Sequence, residues 1–131
     1  AEYCGTQHAH MDFTVVAVPR AEFAEWAMKQ QQPAKPPADT AAQSGERAFK
    51  FNGCAYCHTV NGNGAGGRVG PDLTHFATRL TIGGGMMPNT RGYLAGWVVG
   101  AQHLKPGVRM PDVTLSGEEL QAVLAYLEGL K

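Results

Sequence analysis

Apolar positions along the chain fall into helical spacing in four places and into a strand-like run in one. Near the C-terminus, Leu120, Val123, Leu124 and Leu127 stand at i, i+3, i+4 and i+7, which gathers their side chains on one face of a helix. Ser116 with Glu119 three positions later opens that helix as a capping box. Tyr93, Leu94 and Trp97 predict a second helix after Asn89 and Thr90. A third is predicted from Ser44, read as its N-cap, through Phe49 to Cys54. Phe23, Trp26 and Ala27 follow Pro19, a good first helical position, and suggest a short amphipathic helix to about Gln31. Phe23 and Trp26 are read as packing residues, so this helix is expected to dock on something. Asp12 to Val18 is rich in β-branched residues, stops at Pro19 and reads as a strand.

Residues 32–43 break this patterning. They hold Pro33, Pro36 and Pro37 and few large apolar side chains, a composition that favours an extended, semi-rigid spacer rising about 3.1 Å per residue. The chain therefore divides into residues 1–31, the linker 32–43 and a helical unit 44–131. Eleven basic and eleven acidic residues cancel, and no basic stripe points to nucleic acid or an anionic membrane surface. No apolar run approaches the roughly 18 residues of a membrane helix. No signal-peptide core opens the chain, so any targeting segment was processed away or not included.

The chemistry concentrates at Cys54-Ala55-Tyr56-Cys57-His58. Two cysteines three apart with histidine directly after form the attachment pattern of a c-type haem, each thiol closing a thioether onto one porphyrin vinyl group. On a helix the two sulfurs share a face, and His58 follows as an axial iron ligand. A redox dithiol would want a thioredoxin-like βαβ pattern, which is missing. A zinc site would want four local ligands, yet the only other cysteine is Cys4. Candidates for the second axial ligand are Met110, Met86, Met87, His75 and His103. Met110 is preferred, in a loop stiffened by Pro106 and Pro111 with Gly107 as its turn.

Residues 44–131 resemble a class I cytochrome c, an all-α fold built around one covalent haem c. The resemblance rests on the C-x-x-C-H run, on Gly70-Pro71-Asp72-Leu73 followed by Arg79, and on Lys105-Pro-Gly-Val-Arg-Met-Pro111. It implies that Pro71 orients His58 through its carbonyl, that Arg79 approaches a haem propionate and that Met110 is the sixth ligand. It implies contact of Gly45 and Phe49 with Val123 and Tyr126. Trp97 resembles a tryptophan lying near a propionate, with plain core packing as the alternative. So small a helical unit has a thin core, so the haem is expected to supply much of the buried apolar surface.

The first eleven residues carry a second constellation. Cys4, His8 and Met11 offer thiolate, imidazole and thioether, a soft set of the kind that selects copper. The stretch resembles the end of the copper domain of cytochrome c oxidase subunit II, whose C-x-E-x-C-x-x-x-H-x-x-M loop holds the dinuclear CuA centre. Matched position by position, Cys4 is a bridging cysteine, His8 and Met11 are terminal ligands, and Glu2 ligates through its backbone carbonyl. The loop's first cysteine would precede Ala1, so this chain carries half a site, read as a remnant that does not assemble copper alone. The predicted strand and following helix then belong to a strand-helix remnant of a cupredoxin domain.

Together the two resemblances imply a relay. A His/Met-ligated haem c would take electrons from a respiratory donor and pass them to CuA and the oxygen-reducing subunit I. The chain would lie in the periplasm or on the outer face of a bacterial membrane, held there by N-terminal helices of a longer parent. The fragment is expected to have no catalysis of its own; its parent would be a proton-translocating oxidase subunit. Two alternatives are a free-standing, diffusible cytochrome c and a sensor in which a ligand yields to a small gas. Counting residues 44–131, eight basic against six acidic side chains leave a slight positive excess, too small to steer a free partner strongly.

Overall fold

The computed structural model describes residues 3–131. Five helices carry the fold: α1 Arg20–Gln30, α2 Thr40–Phe51, α3 Cys54–Cys57, α4 Arg91–Leu104 and α5 Gly117–Gly129. Two small antiparallel hairpins sit between them. Strands β1 (Thr59–Val60) and β2 (Ala65–Gly66) pair Thr59 with Gly66, while β3 (Thr81–Ile82) and β4 (Met87–Pro88) pair Thr81 with Pro88.

Helix α5 begins where its capping box requires. The Ser116 side chain accepts from the Glu119 amide at 3.2 Å, and Glu119 accepts from the Ser116 amide at 2.8 Å. Its apolar face, with Val123, Leu124 and Leu127 buried, crosses α2. At the crossing Gly45 lies so close that a Cβ there would stand 1.9 Å from the Ala122 carbonyl oxygen. The Phe49 and Tyr126 rings meet alongside, their centroids 5.6 Å apart. Helix α4 adds Leu94 and Val98, and Val60 of β1, Ile82 of β3 and Leu73 and Phe76 between the hairpins join the same core. The fold is thus the expected all-α one, with strands only in two-residue pairs.

Three expectations are corrected. Helix α2 starts before Ser44: Asp39 is its N-cap, accepting from the Ala42 amide at 2.8 Å. Asp12 to Val18 forms no strand, because a strand needs a ladder partner and no described segment pairs with it; Phe13 and Val15 are left at 85% and 80% exposure. Helix α1 forms, yet Phe23 and Trp26 stack on each other and remain 56% and 54% exposed. The expected docking of these rings is therefore not made within this chain, beyond one edge of Trp26 that borders a cleft with His75 and Arg79.

The proline-rich stretch is also tied down rather than free. The Ala34 amide donates to the Asn61 carbonyl at 2.8 Å, and His75 Nε2 donates to the Gln32 carbonyl at 3.0 Å.

Candidate functional site

Helix α3 is a single turn carrying Cys54 and Cys57 on one side, entered through Gly53 at φ +81° and left at His58, whose backbone is extended. Its amide is still held, donating to the Cys54 carbonyl at 2.9 Å, so the imidazole follows directly on the two sulfurs. Both thiols are half-buried and free. Burial pushes the Cys54 thiol above its ordinary pKa, with the neighbouring Cys57 adding to the rise. A redox dithiol needs the opposite shift, toward thiolate.

The His58 ring is fixed from two directions. Its Nδ1 lies 2.8 Å from the Pro71 carbonyl oxygen; a carbonyl only accepts, so Nδ1 carries a proton, and in the neutral ring Nε2 is the nitrogen with the lone pair. Behind the ring, a Cβ on Gly70 would stand 2.6 Å from His58 Cε1. Gly67 allows a similar approach, since a Cβ there would stand 2.4 Å from the Tyr56 carbonyl oxygen. The Gly70 amide, donating to the Cys57 carbonyl at 2.7 Å, fastens this loop to α3. Two thiols on one turn followed by an imidazole with a bare Nε2 fit the chemistry of a thioether-linked haem iron.

The other candidates fall as follows. Arg79 donates to the Asp72 carbonyl and places its guanidinium 5.7 Å from the centre of the Phe76 ring. Partial burial holds its pKa below the ordinary value, with Asp72 opposing. Trp97 is half-buried against the core. Its ring and Met87 Cε both approach the Cβ position of Gly83, at 3.2 Å and 3.1 Å. Met87 is 6% exposed and belongs to the core; Met86 packs on its edge. Met110 is half-buried, its carbonyl accepting from Gln102 Nε2 at 3.0 Å.

Gln102 also donates to the Val108 carbonyl, and its amide donates to Asp112 Oδ1 at 3.2 Å. It straps the Met110 loop to the end of α4, just past the break in that helix at Gly100. Sequence reasoning passed over Gln102 and Gly67, and named Gly70 in its motif without giving it a role. A lone glutamine close to a proline-glycine loop was the available signal for the first; close approach by glycine shows only in three dimensions.

A cytochrome c family model matches residues 42–131. The chain belongs to the cytochrome c family. Its helices and short hairpins are those of the class I cytochrome c fold. The chain is also homologous to cytochrome c oxidase subunit 2 of Alkalihalophilus pseudofirmus, at 37% identity over 132 residues. The corresponding proteins of Bacillus subtilis and Bacillus sp. strain PS3 are 33% and 36% identical. All of this chain aligns in each case, and it spans 38% of the length of these curated relatives.

Upstream of the cytochrome c domain, Cys4 Sγ lies 2.9 Å from Met11 Sδ and 3.6 Å from His8 Nδ1. The three soft donors thus converge. With Cys54 and Cys57 the only other cysteines, they lack the second thiolate of a dinuclear copper cage and do not fit one alone. Glu2 lies outside the described residues. Among those described, no cluster of three or more His, Cys, Asp or Glu is placed to hold a metal, and no helix is long and apolar enough to cross a membrane.

Proposed function

We propose that the chain is the electron-relay portion of a cytochrome c oxidase subunit 2, passing single electrons from a respiratory donor toward a CuA centre. Haem c, when bound, supplies the one-electron ferric/ferrous couple. Cys54 and Cys57 would tether it through thioethers, and His58 and Met110 would hold its iron, with no ligand position left for oxygen. Pro71 holds the His58 proton at Nδ1. Arg79 and Trp97 are assigned to the propionate edge. The observation that carries the reading is the hydrogen bond from His58 Nδ1 to the Pro71 carbonyl, 2.8 Å long, because it leaves Nε2 free for iron on the residue after the second cysteine.

The oxidase assignment draws on alignment of this whole chain with 38% of the length of three oxidase subunits and on the converging donors Cys4, His8 and Met11. Those donors are assigned as part of the CuA cage, completed by ligands outside these 131 residues. Residues 1–31 would be the end of a cupredoxin domain, with oxidase subunit I beyond it as final acceptor. The corresponding location is the periplasmic or outer face of a bacterial membrane. Linking carrier and acceptor in one chain replaces diffusional docking by a high effective concentration. That suits a domain with little net charge.

The test is a pyridine haemochrome spectrum of the isolated protein before and after acid-acetone extraction. Haem that stays with the polypeptide, with a c-type band and a low-spin sulfur-ligated oxidised form, is the expected result. Extractable haem or none would overturn the reading; carbon monoxide binding to the reduced form would favour the gas sensor.

A further inference from the structure

Lys105 is 8% exposed, and a lysine is almost never so buried without partners. Among the described residues no carboxylate pairs with it. Its ammonium instead donates to two backbone carbonyls, His10 at 2.5 Å and Gly83 at 2.7 Å. One belongs to the N-terminal segment and the other to the β3–β4 turn, 95 and 22 positions away in sequence.

The turn is shaped for this contact. Gly83, Gly84 and Gly85 all have positive φ, at +66°, +75° and +91°, a backbone that side chains resist. The missing side chains also make room. A Cβ on Gly84 would stand 3.0 Å from Lys105 Nζ, and one on Gly85 would overlap Asp12, 1.5 Å from Oδ1 and 2.7 Å from its carbonyl oxygen. A further tie comes from Gln7, whose Nε2 donates to the Pro106 carbonyl at 3.0 Å.

We infer that Lys105 and the Gly83–Gly85 turn form a seat for residues 7–12, registering the Cys4, His8 and Met11 donors against the loop that carries Met110. Lys105 is a positioning residue in this role, touching neither metal. The inference deepens the relay reading and rests on it: the soft-donor cluster is held at one place on the cytochrome c domain rather than swinging on the proline-rich stretch. The seat takes the segment by the His10 carbonyl, by the Gln7 side chain and by the space that Gly85 leaves for Asp12.

In the haem-loaded protein Cys54 and Cys57 are consumed by thioethers, so Cys4 is the one thiol open to a nitroxide label. The distance from that label to the low-spin ferric iron is read by pulsed electron paramagnetic resonance in wild type, Lys105→Met, Lys105→Arg and Gly85→Ala. A single narrow distance is expected in wild type, lost to a broad, longer distribution in Lys105→Met and Gly85→Ala, and restored at least in part by Lys105→Arg. Gly85→Ala attacks the seat at its Asp12 contact and leaves Lys105 unchanged, so it decides the matter should Lys105→Met fail to fold. An unchanged narrow distance in a folded Lys105→Met or Gly85→Ala, or a broad one in wild type, overturns the seat. The optical spectrum of the same samples judges the relay reading separately: low-spin, sulfur-ligated haem with an unchanged distance sinks the seat alone, whereas absent haem sinks the relay.

Discussion

Gly45 on α2 lies against the Ala122 carbonyl of α5, where an added Cβ would come within 1.9 Å of the oxygen and 2.7 Å of Tyr126 Cβ. Two principles disagree about replacing it. Helix propensity favours alanine over glycine by about 1 kcal/mol, whereas overpacking a close contact costs about 1–3 kcal/mol or more. The obstacle is backbone, which cannot swing aside, so packing wins. Gly45→Ala should lower stability by about 2 kcal/mol or more, read as a shift in denaturation midpoint. Gly92→Ala, with nothing within 4 Å of its Cβ position, should be neutral or gain up to about 1 kcal/mol. Equal behaviour of the two would mean the helices are not in this contact.

Gly70→Ala should disturb the axial histidine. The new methyl would stand 2.8 Å from His58 Nδ1, and the ring cannot yield without lengthening its bond to the Pro71 carbonyl. The oxidised and reduced spectra and the midpoint potential should both change. Gly66→Ala, in open space, is the control and should change neither. A wild-type spectrum in Gly70→Ala would contradict the ring's position.

The two methionine assignments separate cleanly. Met110→Leu should remove the optical signature of sulfur ligation and lower the midpoint potential. Met87→Leu, a volume-conserving change in the core, should cost less than about 1.5 kcal/mol and keep that signature. The reverse pattern would move the sixth ligand to the β3–β4 hairpin.

Tyr126 sets an alkaline limit. Its hydroxyl is paired with Asn63 Nδ2, and burial, with Glu46 adding to it, pushes its pKa up to about 12. The neutral form is the one the fold favours, so its contribution is complete below the unfolded phenol's pKa of about 10. It is lost as pH climbs from there through the folded value. Wild type should thus lose stability over that window, and Tyr126→Phe should lose less, measured as the difference between their pH–stability profiles. Parallel profiles would show that the phenol titrates freely in the native state.

Haem removal is expected to leave the domain unfolded or molten, because a few small helices enclose too little apolar surface alone. Circular dichroism of the cofactor-free chain should retain helical signal without a cooperative thermal transition. A sharp transition would mean the core around Phe49 and Leu124 suffices.

Much of the fold was legible because its signals are local. The Ser116–Glu119 cap, the i, i+3, i+4, i+7 stripe of α5 and the helix after Thr90 all depend on residues within two turns of one another, and each formed as read. Asp39 was passed over as the cap of α2 because Ser44 offered the same chemistry five positions later. The strand at Asp12 to Val18 failed for a different reason. Its composition favours extended backbone, but composition cannot provide a neighbour.

Read alone, the chain determined where its helices lie and which short run of residues has the chemistry to hold a porphyrin, since both are written in spacings of three or four. Tertiary structure alone decided that Gly70 must clear the His58 ring and that Lys105 turns inward to bind His10. Those outcomes join residues far apart in sequence through backbone atoms that every amino acid shares, and such contacts leave no residue pattern to read.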